Sequence, residues 1–190
     1  MNPHGRRLVL LAALCGLAGC PLPQPVAEYP ATGTIAPPRI KIADVTPIDT
    51  FVLVDPVTCT DPIFTLSATL VDDNTTEEVV ARWFLDYDPA DLTHQVPIHE
   101  EQIPPPPTGT PDPRARDVEP YLFQAYLLTP APVDGDVHVI ELVVSNGFAP
   151  EPTPPPPSGW RPYRTPATNF EMQLFRWVFR YVPGGACAYP

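Results

Sequence analysis

The sequence predicts an all-β fold, a single sandwich of about seven strands joined by proline-rich loops. Beyond residue 38 the hydrophobic residues alternate with a period of two, the spacing of a strand with one buried face. No apolar stripe with helical spacing competes with this pattern. The 31 prolines cluster between the apolar runs, where they interrupt regular structure. With 190 residues and 44% hydrophobic content, the chain can build the core of one domain.

An export signal is predicted before this body. Arg6 and Arg7 are followed by an unbroken stretch of apolar or small residues from Leu8 to Ala18. That stretch is about half of the ~20 residues that a helix needs to cross a bilayer. We therefore expect residues 1–19 to be a cleaved signal peptide and not a membrane span.

The end of this signal carries a four-residue motif. Leu17, Ala18, Gly19 and Cys20 resemble the lipobox of bacterial lipoproteins. The resemblance implies that Cys20 becomes the first residue of the mature chain and carries a diacylglyceryl thioether. In that family the amino terminus is usually acylated as well, for example with palmitate. Two or three acyl chains exceed what stable anchoring requires. The alternative is an ordinary signal peptide that happens to contain a cysteine.

The same resemblance predicts a lipid-anchored location at the cell envelope. Pro21 follows Cys20, and the absence of aspartate there favours the outer membrane over the inner one, by resemblance to sorting in enteric bacteria. Residues 20–38 are then the lipidated cysteine and a proline-rich tether, which reaches at most ~55 Å at about 3.1 Å per residue. The tether separates the sandwich domain, residues 39–190, from the bilayer.

The charge of the chain excludes one class of partner. The formal net charge is -11, and residues 1–19 contain two arginines and no acid, so removing them leaves the mature body near -13. Such a body repels nucleic acid and anionic lipid surfaces, and it has no basic run that could neutralise phosphates. We expect no nucleic-acid binding.

The cysteines predict one disulfide. Of the four, Cys15 leaves with the signal and Cys20 carries lipid, which leaves Cys59 and Cys187 in an oxidising compartment. Their pairing would attach the C-terminal tail to the beginning of the domain. The alternatives are two free thiols or a metal site completed by histidine, although no partners at suitable spacing are present.

Alternating runs mark the strands of the body. "RIKIADV" and "FVLV" predict one broken or two short edge strands. In "IFTLSATLV" one face carries Phe64, Leu66, Ala68 and Leu70 toward the core. In "VVARWFLDY" the inward set is Val79, Ala81, Trp83 and Leu85, with Arg82 and Asp86 outward. With "DDNTTEE" as the turn, these two runs predict a hairpin.

The second half of the body repeats the pattern. "YLFQAYLL" and "DVHVIELVV" predict another hairpin around Asp134 and Gly135, a common turn pair. The last run, "FEMQLFRWVFRY", changes parity, since its first inward residues are Phe170, Met172 and Leu174 and its later ones are Phe175, Trp177, Phe179 and Tyr181. A β-bulge near Leu174 would produce this change.

A tryptophan in the third of about seven strands matches an immunoglobulin-like sandwich. "GDVHVIELVVSNGF" resembles the penultimate strand of PKD and related immunoglobulin-like domains of bacterial surface proteins, and "ARWFLDYDP" lies where their tryptophan strand would be. The glycine-containing turn of that family is replaced here by "LDYDPAD". The resemblance therefore implies the fold class and transfers no binding residue.

Two long loops, "HEEQIPPPPTGTPDPRARD" and "APEPTPPPPSGWRPYRTP", interrupt the predicted sandwich. Each contains four consecutive prolines, which favour a polyproline II rod. Loops of this length are usually functional or disordered. One interpretation is a partner-recognition surface that includes Trp160 and Tyr163; the other, which we favour, is a pair of rigid spacers across the sandwich ends.

The sequence contains the histidines His94, His99 and His138, but it has no GxSxG motif and no other recognisable motif for a catalytic nucleophile. We interpret Glu100 and Glu101 as solvated carboxylates. No phosphate-binding glycine loop is present, and we predict no cofactor. His94 and His99 have the wrong spacing for a shared metal on one strand. Calcium is the stronger alternative, with oxygen ligands from the loop aspartates Asp72, Asp73, Asp86, Asp88, Asp91, Asp134 and Asp136, but no EF-hand spacing occurs, and we predict no metal.

These observations predict a lipid-anchored, non-enzymatic structural or partner-binding module with an envelope protein as partner. The alternatives are a periplasmic or surface lipoprotein that binds a small ligand or carbohydrate, or an uncharacterised enzyme. A partner-binding module predicts an exposed apolar or aromatic patch. A ligand binder or an enzyme predicts a deep pocket with convergent polar groups.

Overall fold

The computed structural model describes residues 36–59, 63–151 and 163–188. Within these ranges the chain forms one 3-10 turn, Ile42–Asp44, and ten strands. They are β1 (Arg39–Ile40), β2 (Phe51–Val54), β3 (Ile63–Leu66), β4 (Thr69–Val71), β5 (Val79–Leu85), β6 (His99–Ile103), β7 (Ala115–Asp117), β8 (Tyr121–Gln124), β9 (Val137–Ser145) and β10 (Met172–Tyr181). The predicted signal peptide (1–19), Cys20 and the tether up to residue 35 lie outside the described residues.

The strands form two layers around one core, which confirms the predicted all-β sandwich. The first layer is a five-stranded sheet with the order β2-β10-β9-β5-β6, in which β2 runs parallel to β10 and the other neighbours are antiparallel. The second layer contains the two-stranded sheet β3-β8 and the three-stranded sheet β1-β4-β7. The described residues include no helix with the length and apolar character needed to span a membrane.

The strand count exceeds the predicted number because two long strands of the second layer are broken. The run "IFTLSATLV" forms β3 and β4, with Ser67 bridged to Thr46 at the break. Its predicted inward side chains, Phe64, Leu66, Ala68 and Leu70, are all buried. Similarly, β7 and β8 are separated by residues 118–120, where the backbone N–H of Val118 donates to the carbonyl oxygen of Ala68.

Both predicted hairpins are wrong. β4 and β5 lie in different sheets, as do β8 and β9, so each connecting turn crosses from one layer to the other. The turn at Gly135 does form, with a φ of +95° and an N–H that donates to the carbonyl oxygen of Tyr181. Two alternating strands that are adjacent in sequence look the same whether they pair side by side or face each other across a core, so the period of two could not separate these cases.

The predicted β-bulge near Leu174 is also wrong. β10 pairs with β9 in one unbroken register, from Met172 opposite Ser145 to Arg180 opposite Val137. Met172 and Leu174 therefore lie on the outer face, and Met172 is exposed. The inward position in this part of β10 belongs to Gln173, whose Oε1 accepts a hydrogen bond from the backbone N–H of Ile40. Because that polar side chain has a partner, no shift in register is needed to remove it from the core.

The first proline-rich loop is shorter than predicted. Its beginning, "HEEQI", forms β6, and its end contributes β7, so the irregular part spans residues 104–114. Among the described strands, β6 lies at the edge of its sheet and pairs with β5. Glu100 and Glu101 give it the charged character by which edge strands resist pairing with other chains.

Aromatic rings fill the core between the layers. Trp83 stacks between Trp177 and Tyr121, with ring centroids 5.5 Å and 5.4 Å away. Phe179 contacts Phe64 with centroids 5.2 Å apart. Trp83, Trp177, Phe179 and Phe64 have no exposed surface. Burying side chains of this size supplies a large part of the hydrophobic stabilisation of such a domain.

The predicted disulfide is confirmed. Cys59 and Cys187 are bonded, with their Cα atoms 5.2 Å apart and a sequence separation of 128 residues. The tail also contacts β2 directly, because the N–H of Ala186 donates to the carbonyl oxygen of Leu53 at 2.8 Å. The C-terminal tail is therefore fixed to the edge strand of the five-stranded sheet.

Candidate partner-binding face

The outer face of the five-stranded sheet divides into a covered half and an open half. Alternate residues of each strand point outward, away from the core. Glu141 and Val143 of β9 point outward and yet are buried, whereas Phe51 and Leu53 of β2 point outward and are exposed. A strand that is buried on both sides needs a second covering element, and here that element is the chain on either side of the second proline-rich loop.

A buried carboxylate lies at the centre of the covered half. The side chain of Glu141 is only 5% exposed. Its Oε1 lies 2.5 Å from Nε of Arg176 and its Oε2 lies 2.8 Å from Nη1 of Arg164. Two guanidinium groups compensate the desolvation of this charge. Arg164 thereby attaches the end of the second proline-rich loop to the sheet.

A second arginine fixes the same segment. Nε of Arg82 lies 2.6 Å from a carboxylate oxygen of Glu100, and its Nη1 donates to the carbonyl oxygen of Tyr163 at 2.6 Å. The guanidinium lies over the ring of Phe148, 4.2 Å from its centroid. The guanidinium of Arg164 lies over the ring of Tyr87 at 4.1 Å. Cation–π contacts of this kind hold the loop flanks against the sheet.

These contacts locate one of the two predicted partner-surface residues. Tyr163 lies on the outer face of the sheet and is half-buried; Trp160 lies outside the described residues. The described flanks of this loop therefore run over a sheet face, whereas the spacer interpretation placed the loop across the sandwich ends. The flanks also pair with each other, since the N–H of Ala149 donates to the carbonyl oxygen of Thr165.

The open half consists of two short rows of side chains, and we call these six residues the open face. Phe51, Val178 and Val139 are lateral neighbours across β2, β10 and β9, and Leu53, Arg180 and Val137 form the next row. Side chains opposite each other on neighbouring strands are close enough to touch. Phe51 is 52%, Leu53 44% and Val137 51% exposed. The open face is thus a contiguous patch of three exposed apolar side chains, two partly buried valines and one exposed arginine.

A depression adjoins the open face. It has a volume of about 500 Å³, opens to solvent, and is lined by Asp86, Tyr87, Val139, Glu141, Arg176 and Val178. Val139 and Val178 belong to both features. Two further depressions, of about 150 and 180 Å³, lie beside Cys59 and beside β8. Each of these two is below the usual volume of a ligand pocket, which is about 300–1,000 Å³.

Most of the aspartates considered as calcium ligands have other partners. Asp86 has a φ of +49°, contacts Nδ1 of His138 at 2.6 Å and accepts a hydrogen bond from the N–H of Val139 at 2.7 Å. Asp72 forms an ion pair with Arg116. Others accept hydrogen bonds from nearby backbone N–H groups in their own turns: Asp88, Asp91 and Asp136. Among the described residues, no group of three or more His, Cys, Asp or Glu side chains could hold a metal.

The remaining candidates for acid-base chemistry have individual partners. His94 contacts Asp91 at 3.1 Å in an exposed loop, and His99 stacks on Tyr121. Glu101 accepts a hydrogen bond from the N–H of Glu119, and burial raises the pKa of its carboxyl group. His99 and Glu101 lie two positions apart on β6 and interact electrostatically, whereas His94 lies in the loop before β6. The sequence interpretation of Glu100 as simply solvated misses its ion pair with Arg82.

Comparison of the chain with protein-family models, with curated proteins and with solved structures gave no match. The open face was not predicted from the sequence. A signal was nevertheless present, because "FVLV" and "VHVIELVV" are apolar at both inward and outward positions. Such runs indicate strands covered on both faces. The outward residues of β2 have no cover within the described chain.

Proposed function

We propose that this protein is a lipid-anchored cell-envelope module that binds a protein partner and performs no catalysis. The observation that carries the proposal is the open face, on which Phe51, Leu53 and Val137 are each about half exposed beside Val139 and Val178. Contiguous exposed apolar side chains on a monomer, bordered by polar residues, are typical of interaction sites. The confirmed sandwich supplies a rigid platform for them.

The energetics favour a partner over permanent exposure to water. Fully burying one large apolar side chain is worth about 1.5–3 kcal/mol. Interfaces depend on a few such central residues surrounded by a polar rim. Phe51 and Leu53 are suited to the central role, while Arg176 and Asp86 lie on the side of the depression.

The membrane part of the proposal depends on Cys20. A lipidated Cys20 would place the domain at the envelope, with the outer membrane favoured over the inner one. We expect labelled palmitate to enter the wild-type protein and to be absent from Cys20→Ser. Equal labelling of the two proteins, or none in the wild type, would contradict lipid anchoring, and the partner proposal would then apply to a protein without an anchor.

The partner can be sought directly. Crosslinking in native membranes, followed by pulldown and mass spectrometry, should recover a stoichiometric protein with the wild type. Leu53→Asp should lose it, because a charge in the apolar row opposes burial. Ile42→Asp is the matched control, since Ile42 is 66% exposed but belongs to the segment between β1 and β2 and not to the open face. Equal recovery with Leu53→Asp and the wild type would reject the open face as the binding surface.

A further inference from the structure

Arg180 gives the open face a specific chemistry. Every other lysine or arginine that the structure describes forms an ion pair with a carboxylate. Arg180 forms none within the described residues, although the chain carries 22 acidic residues against 11 basic ones. In so acidic a protein, an exposed arginine without a carboxylate partner is the exception that needs a cause.

The neighbours of Arg180 on the face are apolar. It lies between Leu53 on β2 and Val137 on β9, and Val178 precedes it by two positions on the same face of β10. Any macromolecule that covers the exposed apolar side chains therefore also covers this guanidinium. Burying a guanidinium without a counter-charge is strongly unfavourable.

We propose that the open face binds a protein segment that presents a carboxylate to Arg180 between apolar side chains; this inference rests on the proposed function. A carboxylate can accept two parallel hydrogen bonds from a guanidinium, which gives both energy and orientation. A purely apolar segment would leave Arg180 buried without a counter-charge, and a basic one would be repelled. An anionic bilayer surface would be repelled by the mature body, with its net charge near -13.

The size of the open face sets the kind of contact. Two rows of three side chains span about 10 Å across the sheet, at ~4.8 Å between strands, and about 7 Å along it. Such an area is the centre of an interface and not the whole of it. Arg176, on the same face of β10, is already paired with Glu141 and adds no unpaired charge toward the depression.

A peptide selection tests this chemistry. The mature, full-length protein in detergent is used to select from a displayed library of random twelve-residue peptides. We expect enrichment of peptides with an aspartate or glutamate flanked by apolar residues. An enriched peptide should bind Arg180→Glu at least tenfold more weakly than the wild type. Arg114→Glu is the matched control and should bind within twofold, because Arg114 is similarly exposed but precedes β7 in the other layer.

The variant Leu53→Asp distinguishes failure of the carboxylate proposal from failure of the proposed function. Peptides without acidic enrichment, or peptides that bind Arg180→Glu as well as the wild type, would overturn the carboxylate proposal; if Leu53→Asp still abolished their binding, the open face would remain the binding surface. Peptides that bind both Leu53→Asp and Arg180→Glu normally would reject both proposals. A selection that enriches no peptide would overturn the carboxylate proposal.

Discussion

Arg116 on β7 and Asp72 at the end of β4 form a buried ion pair, with 3.0 Å between Nη2 and Oδ2 and side chains 2% and 0% exposed. Arg116 also donates to the carbonyl oxygens of Glu77 and Asn74, and Asn146 at the end of β9 donates to Asp72. The pair lies within the β1-β4-β7 sheet, and the bond from Asn146 connects it to the five-stranded layer. It closes the turn that the sequence suggested to be a hairpin.

We predict that Arg116→Met destabilises the fold by about 3–5 kcal/mol, because it leaves the carboxylate of Asp72 buried without a counter-charge. The double variant Arg116→Met/Asp72→Asn removes that charge and should recover part of the loss. Urea unfolding followed by tryptophan fluorescence measures both. A double variant at least as unstable as Arg116→Met would contradict this account of the pair.

The disulfide predicts a large stabilisation. Opening the Cys59–Cys187 bond removes a constraint on the unfolded chain, because the two cysteines are separated by 128 residues in the sequence. The chain-entropy model gives about 5 kcal/mol for a loop of this length. Urea unfolding of the wild type and of Cys59→Ala/Cys187→Ala, at the same pH, should differ by roughly that amount. A difference below about 1 kcal/mol would mean that the tail contributes little to stability.

The two central tryptophans should respond differently to the same substitution. Both rings are fully buried, but Nε1 of Trp177 donates to the carbonyl oxygen of Pro47 at 2.9 Å, whereas Nε1 of Trp83 has no hydrogen-bond partner among the described residues. Trp177→Phe loses a bond and leaves a carbonyl oxygen unsatisfied; Trp83→Phe removes a buried donor that was already unsatisfied. We expect Trp177→Phe to cost about 1 kcal/mol or more beyond Trp83→Phe. Equal midpoints of urea unfolding would contradict this expectation.

Asp55, directly after β2, should make the stability of the fold depend on pH. Its side chain accepts hydrogen bonds from Oγ1 and N–H of Thr58 and from the N–H groups of Val57 and Gly184, and these bonds hold the pKa of the carboxyl group well below its usual range. A lowered pKa in the folded state means that the unfolded chain takes up the proton first as the pH falls. The stabilisation is therefore complete above the unfolded pKa of ~3.9 and decreases at lower pH.

Asp55→Asn lacks this contribution, so its deficit relative to the wild type should be larger at pH 6 than at pH 2.5. Thr58→Val removes only the hydroxyl donor, so its stability should lie between those of the wild type and Asp55→Asn. Urea unfolding at the two pH values measures the deficits. A deficit that is the same at both would show that the hydrogen bonds do not favour the charged carboxylate.

The period-two pattern predicted which side chains face the core, but it did not determine which strands pair. Phe64, Leu66, Ala68 and Leu70 are buried as predicted, because alternation fixes the side of a strand locally. Sheet membership depends on contacts distant in sequence, such as that of Asp72 with Arg116, and no local pattern encodes them. β6 was missed for a related reason: its edge position tolerates charged residues that resemble a loop.

The candidate site was only partly predictable. Elimination identified Cys59 and Cys187, since the predicted signal peptide and the predicted lipidation account for the other two cysteines. Tyr163 was identified through the unusual composition of its loop, and the structure adds its contact with Arg82. The lateral rows of the open face are formed by β2, β10 and β9. The parallel pairing of β2 with the last strand could not be anticipated from either run alone.

That parallel pairing has a mechanical consequence for a domain that is pulled from its amino-terminal side. A pull on the chain before β2, resisted at the end of β10, loads the β2–β10 hydrogen bonds in shear, all at once, and does not peel them one by one. The bond between Cys59 and Cys187 also makes most of the domain inextensible, because everything between those residues is a closed loop. Under tension between the termini, only the residues before Cys59 and after Cys187 can stretch.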